Sequence, residues 1–242
     1  VKAPNWMTHL EYEWESPVWR HLLDEFAKDR TLIRFDQRAN GLSDWDVEDV
    51  SFEAFVADLE TVVDAAGLER FPLMGISQGC AISVAYAHRH PERVSHLVLF
   101  GGFARGQFKR GPAEKELAEA MITLVGHGWG QDNPAFRQMF TYQFMPGATP
   151  EQVDWFNELQ RVSASAENAV RLRRAVCNFD VTNLLRELSV PTLVLHCTGD
   201  CIVPFKEGRQ LAAGIPGARF VALEGVNHLI LEHEPAWGQF AG

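Results

Sequence analysis

Five consecutive residues, Gly75-Ile76-Ser77-Gln78-Gly79, carry the clearest chemical signal in this chain. A serine hydroxyl is a weak nucleophile at neutral pH and needs a base beside it. Framed as G-x-S-x-G, a serine can occupy a strained turn between a strand and a helix. The small flanking residues there avoid clashes with neighbouring backbone and leave the hydroxyl exposed. The flanks supply that context. "FPLMGIS" reads as a buried strand and "QGCAISVAYAHRH" as a helix ended by Pro91. Two plainer readings compete: a tight turn with an incidental serine, or a helix N-terminus that binds an anion. Neither accounts for the residues downstream.

A nucleophile of this kind predicts an acid and then a histidine, in that order along the chain. "LVLHCTGDCIVP" supplies Asp200 just past the end of a strand, and "ALEGVNHLILEHEP" supplies His228 just past the next. The bland alternative for Asp200 is a turn residue after Gly199. Among nine histidines, His196 lies within a strand and is expected to pack or bond inside. His233 is expected on a helical surface. Only His228 leaves its strand through a "GVNH" loop. Loops at the carboxyl ends of parallel strands converge on one edge of the sheet, so Ser77, Asp200 and His228 are predicted to share one rim.

The elements that must position them follow from hydrophobic periodicity. "SPVWRHLLDEFAKD" reads as a helix and "TLIRFD" (31–36) as a strand. Ser51 to Gly67 reads as a helix capped by Ser51 and stopped by Gly67. Val94 to Gly102, Pro191 to Asp200 and Ala218 to Gly225 read as strands, the last two flanking a helix around "FKEGRQLAAGI". This alternation predicts an α/β fold, a mostly parallel sheet with helices on both faces. Residues 106–181 break the rhythm with aromatic-rich helical patterns such as "AEKELAEAMITLVGHG" and "PEQVDWFNELQRV". The chain is therefore read as a core of 1–105 and 182–242 with a helical insertion at 106–181.

Composition narrows the function classes. With 22 Lys+Arg against 32 Asp+Glu, the formal net charge is −10, which opposes binding to nucleic acid. No continuous apolar run is long enough to span a bilayer. Cys80, Cys177, Cys197 and Cys201 form no disulfide framework, and the Cys197/Cys201 pair lacks the second ligand pair of a zinc site. Neither a metal nor an organic cofactor is expected. No leader pattern is visible at "VKAPNW", which reads like the end of a strand, and a cytoplasmic location is the expectation.

These motifs resemble the α/β-hydrolase superfamily with a Ser-Asp-His triad. "MGISQG", "LVLHCTGDCIVP" and "GVNHLILEHEP" are similar to its elbow, acid loop and histidine loop. "RFDQRANGLSDW" resembles its D-x-R-G-x-G-x-S loop, with Ala39 where glycine is usual. The N-terminal stretch "KAPNWMTHLEYEWESPVWRHLL" further resembles hydrolase-like domains of bacterial cyclases and LuxR-type regulators and related free-standing esterases. The resemblance implies that 106–181 is a cap or lid. It also implies a β-hairpin ahead of the strand ending near Val1 to Pro4, and a longer last helix, so the sequence reads as trimmed. Finally, it implies an oxyanion hole built from the Gln78 backbone N–H and one from the loop Pro4 to His9. There the Trp6 amide is the expected donor, with Asn5 and Met7 as alternatives.

The implied chemistry is hydrolysis of a small-molecule carboxylic ester through an acyl-enzyme at Ser77, with His228 as base and Asp200 holding it. The aromatic insertion suggests an apolar acyl or alcohol pocket. C–C bond hydrolysis, lactone opening and perhydrolysis stay open within the serine branch. A ligand-sensing domain without catalysis is the rival from another class.

Overall fold

The structure is a computed structural model, and it describes residues 1–131, 133 and 135–242. Four parallel strands form its sheet in the order β1 (Phe71–Ile76), β2 (Val94–Phe100), β3 (Thr192–Cys197) and β4 (Arg219–Leu223). The first of these strands is extended on its outer side by Val1–Ala3. Lys2 bridges in parallel to both Met74 and Arg34, with Lys2 N–H donating to Ile33 C=O at 2.9 Å and Ala3 N–H to Met74 C=O at 2.8 Å.

The strand expected over 31–36 is thereby reduced to a single bridge at Arg34. Among the described residues only the short Val1–Ala3 stretch lies alongside it. Pro4, which has no N–H, then ends the pairing.

Helices follow where the apolar periodicity places them. Helix α1 (Arg20–Ala27) and α2 (Phe52–Ala65) precede β1; α3 (Gly79–Arg89) links β1 to β2. In α2 the Ser51 hydroxyl accepts from the Ala54 N–H at 3.2 Å, and Gly67, at φ +63°, lets the chain leave. Every residue of α3 from Gly79 to Ala87 is buried, because the helix lies between the sheet and its neighbours.

Between β2 and β3 run four helices: α4 (Pro112–Gly128), α5 (Ala135–Phe144), α6 (Pro150–Ser163) and α7 (Ala166–Cys177). The chain enters and leaves this segment through one antiparallel bridge, Arg105 to Asp180. Gly106 N–H donates there to Phe179 C=O at 2.7 Å, and Val181 N–H to Ala104 C=O at 2.8 Å. Most aromatics of the segment are core residues. Trp129, Phe140, Phe144, Phe156 and Phe179 are all buried, and the Trp129 indole donates to Ala164 C=O at 3.0 Å. Phe136 and Tyr142 are exposed.

Helix α8 (Phe205–Gly214) joins β3 to β4, and α9 (Pro235–Ala241) follows β4. Among the described residues no helix is long and apolar enough to cross a membrane.

Candidate active site

The carboxyl ends of the strands point to one rim, and the residues singled out in the sequence lie there. Ser77 follows β1 directly and has φ +55°, the left-handed region that an L-residue adopts only at a cost. Its N–H donates to Phe100 C=O at 2.9 Å, which ties the turn to the end of β2.

The two flanking glycines have separate jobs. A Cβ on Gly75 would lie 2.6 Å from Cys80 Cα and 2.7 Å from its nitrogen, so only glycine lets α3 fold back over the strand. A Cβ on Gly79 would lie 2.8 Å from Pro4 C=O, so glycine lets the loop carrying Trp6 press against the start of α3. Gly75→Ala is therefore expected to lower stability by about 2 kcal/mol or more, since the clash is with backbone that cannot yield cheaply. Denaturant unfolding measures it.

Asp200 and His228 meet. His228 Nδ1 lies 2.6 Å from Asp200 Oδ2, and both side chains are almost fully buried. The other carboxylate oxygen accepts from the backbone N–H of Ile202 at 2.8 Å and of Val203 at 2.9 Å. Burial by itself would raise the Asp200 pKa. The charge and hydrogen bond of His228, with the Val203 amide, outweigh it and hold the carboxyl below its ordinary range. An ionised Asp200 on Nδ1 assigns the proton to that nitrogen and leaves Nε2 with its lone pair free. Nε2 is buried and has no hydrogen-bond partner among the described residues.

The third contact is open in this state: among the described residues no hydrogen bond joins the Ser77 hydroxyl to His228. The two nevertheless border the same turn. A Cβ on Gly101 would lie 3.1 Å from His228 Cε1, and Gly101 follows the Phe100 whose carbonyl holds Ser77. Catalytic contacts of this kind are often long before substrate binds.

His196 is fully buried in β3. Its Nε2 lies 2.8 Å from Val203 C=O and 3.5 Å from Asp200 Oδ2. Burial lowers its pKa, so it packs behind the acid as a neutral ring. His233 is exposed, in the turn before α9 and not on a helix.

Around the oxyanion side, Trp6 and Gln78 both line the cavity at Ser77. The Gln78 side-chain amide donates to Gln37 Oε1 at 2.9 Å, which fixes the residue after the nucleophile. The Asn5 side chain is engaged within the loop, its oxygen accepting from the Lys2 ammonium and its side-chain amide donating to Trp6 C=O. Met7 sits at φ +49° and is fully buried. The loop at 36–44 is organised by Asp36, whose carboxylate accepts from the Leu10 and Leu42 amides, and Ala39 there adopts φ +63°.

Several contributors carry no local sequence signal. Phe144, at the end of α5, accepts from the His228 N–H at 2.7 Å and lays its ring 5.5 Å from the imidazole. Asn227 Oδ1 accepts from Gly147 N–H at 2.8 Å. The helical insertion thus holds the histidine loop by two hydrogen bonds. Arg110, Arg173 and Gln107 line the cavity from the same insertion. Among the described residues no group of three His, Cys, Asp or Glu side chains gathers as a metal site would need.

Glu234 ends the histidine loop with both carboxylate oxygens buried, the Leu231 backbone offsetting that burial only in part. Burial pushes its pKa up to about 7. A raised carboxyl pKa means the folded state binds the proton more tightly than the unfolded chain. Stability then falls as pH rises from about 4.5 to about 7. Glu234→Gln is expected to unfold at a higher temperature than wild type at pH 8, with the gap closing towards pH 4.5. A gap independent of pH would refute the assignment.

Comparison with known proteins bears on the family and the fold. The family described as alpha/beta hydrolase fold matches residues 12–140, more than half of the chain. Pyrrolizixenacetamide deacetylase of Xenorhabdus hominickii is 25% identical over 213 residues, spanning 85% of this chain and 76% of the relative. The AB hydrolase superfamily protein YisY of Bacillus subtilis is 29% identical over 199 residues, spanning 81% and 74%. In fold, the chain is similar to the esterase EaEST from Exiguobacterium antarcticum, with a TM-score of 0.82, 23% identity, and 99% and 87% of the two chains covered. With the family match covering the elbow, and the same fold found across nearly the whole length, this chain belongs to the alpha/beta hydrolase fold family.

Proposed function

We propose that this hydrolase cleaves carboxylic esters through an acyl-enzyme at Ser77. The observation that carries the reading is the buried 2.6 Å contact between His228 Nδ1 and Asp200, beside a serine held in the left-handed region. His228 Nε2 takes the hydroxyl proton as Ser77 Oγ bonds to the ester carbonyl carbon. Asp200 keeps the imidazole in the required tautomer and stabilises its charged form. The tetrahedral oxyanion is held by the backbone N–H groups of Gln78 and Trp6, each contributing about 3 kcal/mol to the barrier reduction.

As the intermediate collapses, the C–O bond to the alcohol breaks and His228 returns the proton to the leaving oxygen. Water repeats the sequence on the acyl-enzyme, its proton passing to His228 and then back to Ser77. The four-helix insertion serves as the cap, holding the histidine loop through Phe144 and Gly147.

The test is labelling with a 4-nitrophenyl alkylphosphonate followed by peptide mapping, together with turnover of short 4-nitrophenyl esters. The adduct is expected on Ser77. An adduct on another serine, or none together with no turnover, would refute the reading in favour of a domain that binds without reacting. The deacetylase relative makes an acetanilide the second substrate to assay, since the same acyl-enzyme serves amides.

A further inference from the structure

The cavity at Ser77 is unusual in the kind of polar atom it leaves unsatisfied. Three residues that line it carry a buried side-chain nitrogen without a partner among the described residues: Trp6 Nε1, Arg110 Nη1 and Arg173 Nε. All three are N–H donors. No lining residue leaves a buried side-chain acceptor open, because Gln107 Oε1 already accepts from Arg173 Nη2 at 2.7 Å. Each buried, unbonded donor costs free energy until something accepts from it.

The charge balance has the same sense. The Arg110 side chain is only 3% exposed; the Glu207 carboxylate, 2% exposed, lies 3.6 Å from it, and Glu114 acts on it more weakly. Arg110 lies 5.0 Å over the Phe103 ring and donates its Nε–H to Arg105 C=O at 2.8 Å, so it is held in place. Among the described residues no carboxylate lies within ion-pair distance of Arg173. The cavity thus presents a guanidinium without an ion pair beside Ser77, in a protein whose overall charge is −10.

We propose that the substrate carries, besides its ester, a carboxylate that seats in this cavity against Arg110 and Arg173. This deepens the acyl-enzyme reading and rests on it. A carboxylate offers the acceptor pair that guanidinium groups match. The room for a ligand between these side chains is narrow, so it suits a compact charged end. Trp6, Phe103 and Phe144 supply the apolar wall beside it. The substrate class is thus the half-ester of a short dicarboxylic acid or an ester of similar outline.

The experiment compares mono-4-nitrophenyl glutarate with the near-isosteric neutral 4-nitrophenyl pentanoate. We expect kcat/KM to favour the anionic ester by about tenfold or more, and Arg173→Gln to reduce that ratio by about tenfold or more. Arg173→Gln is the primary variant because Arg110→Gln would leave Glu207 buried without its cation. In parallel, glutarate is expected to raise the unfolding temperature of Ser77→Ala and to lose that effect in Ser77→Ala/Arg173→Gln.

If both esters turn over with no anionic preference, or with a ratio that Arg173→Gln leaves unmoved, the carboxylate site is refuted while the acyl-enzyme survives. If neither ester turns over yet glutarate stabilises in an Arg173-dependent way, the acyl-enzyme reading fails and the anion site stands. No turnover and no stabilisation overturn both.

Discussion

Ser77→Ala is expected to lower kcat on 4-nitrophenyl butyrate by about 10⁴-fold or more while leaving the fold in place. The hydroxyl is the only group removed, and no other hydroxyl stands at the turn where β1 enters α3. On the proposed mechanism, residual catalysis from the amides of Gln78 and Trp6 keeps the rate above that of water, because oxyanion stabilisation does not need the nucleophile. Stability should change by less than about 1 kcal/mol, since alanine retains the Cβ and hence the same backbone strain at φ +55°. Steady-state kinetics and denaturant unfolding on one preparation separate the two effects. A variant with near wild-type turnover would remove Ser77 from the chemistry.

Asp200→Asn is expected to lower kcat by about 10⁴-fold through a different cause. Asparagine can still offer an oxygen to the Ile202 and Val203 amides, so the loop keeps its shape. Towards His228, however, it presents an N–H₂ donor at the position where Oδ2 now accepts at 2.6 Å. Nδ1 must then become the acceptor, and the proton moves to Nε2, which can no longer take one from serine. Substitution by alanine would in addition strip two buried amides of their acceptor, at a cost of about 2 kcal/mol or more. If the three residues act as a unit, as the proposed mechanism requires, Ser77→Ala/Asp200→Asn is no slower than Ser77→Ala alone. A double variant slowed by the product of the two single effects would argue for independent roles.

Acidification probes the same pair. Asp200 is held below its ordinary 3.8, so its contribution to stability is present above that value. It is lost only as pH falls through the lower folded-state value. That acid-side loss should disappear in Asp200→Asn.

Much of the sheet was legible because its signals are local. The apolar runs in β1 to β4 are short and bounded by glycine, proline or charge, and the 3.6-residue spacing from Phe52 to Val63 lies on one helix face. The exceptions are informative. "TLIRFD" has strand composition, yet pairing needs a neighbour, and among the described residues only Lys2 bridges to it. His233 follows an apolar run that resembles a helix start, but the helix begins only at Pro235.

What the sequence by itself determined is the identity of the chemical parts and their order: a glycine-flanked serine after one strand, an acid after another, a histidine after the next. Parallel strands then carry all three to one edge, whatever fills the gaps between them. Tertiary structure alone decided what surrounds them. Phe144 grips the histidine loop from a helix 84 residues earlier in the chain, with its carbonyl on the His228 amide. Arg110 and Arg173, 63 positions apart, line a single cavity. Those pairings depend on how helices α4 to α7 pack on one another and on the sheet. No local spacing encodes a contact that only a folded core brings about.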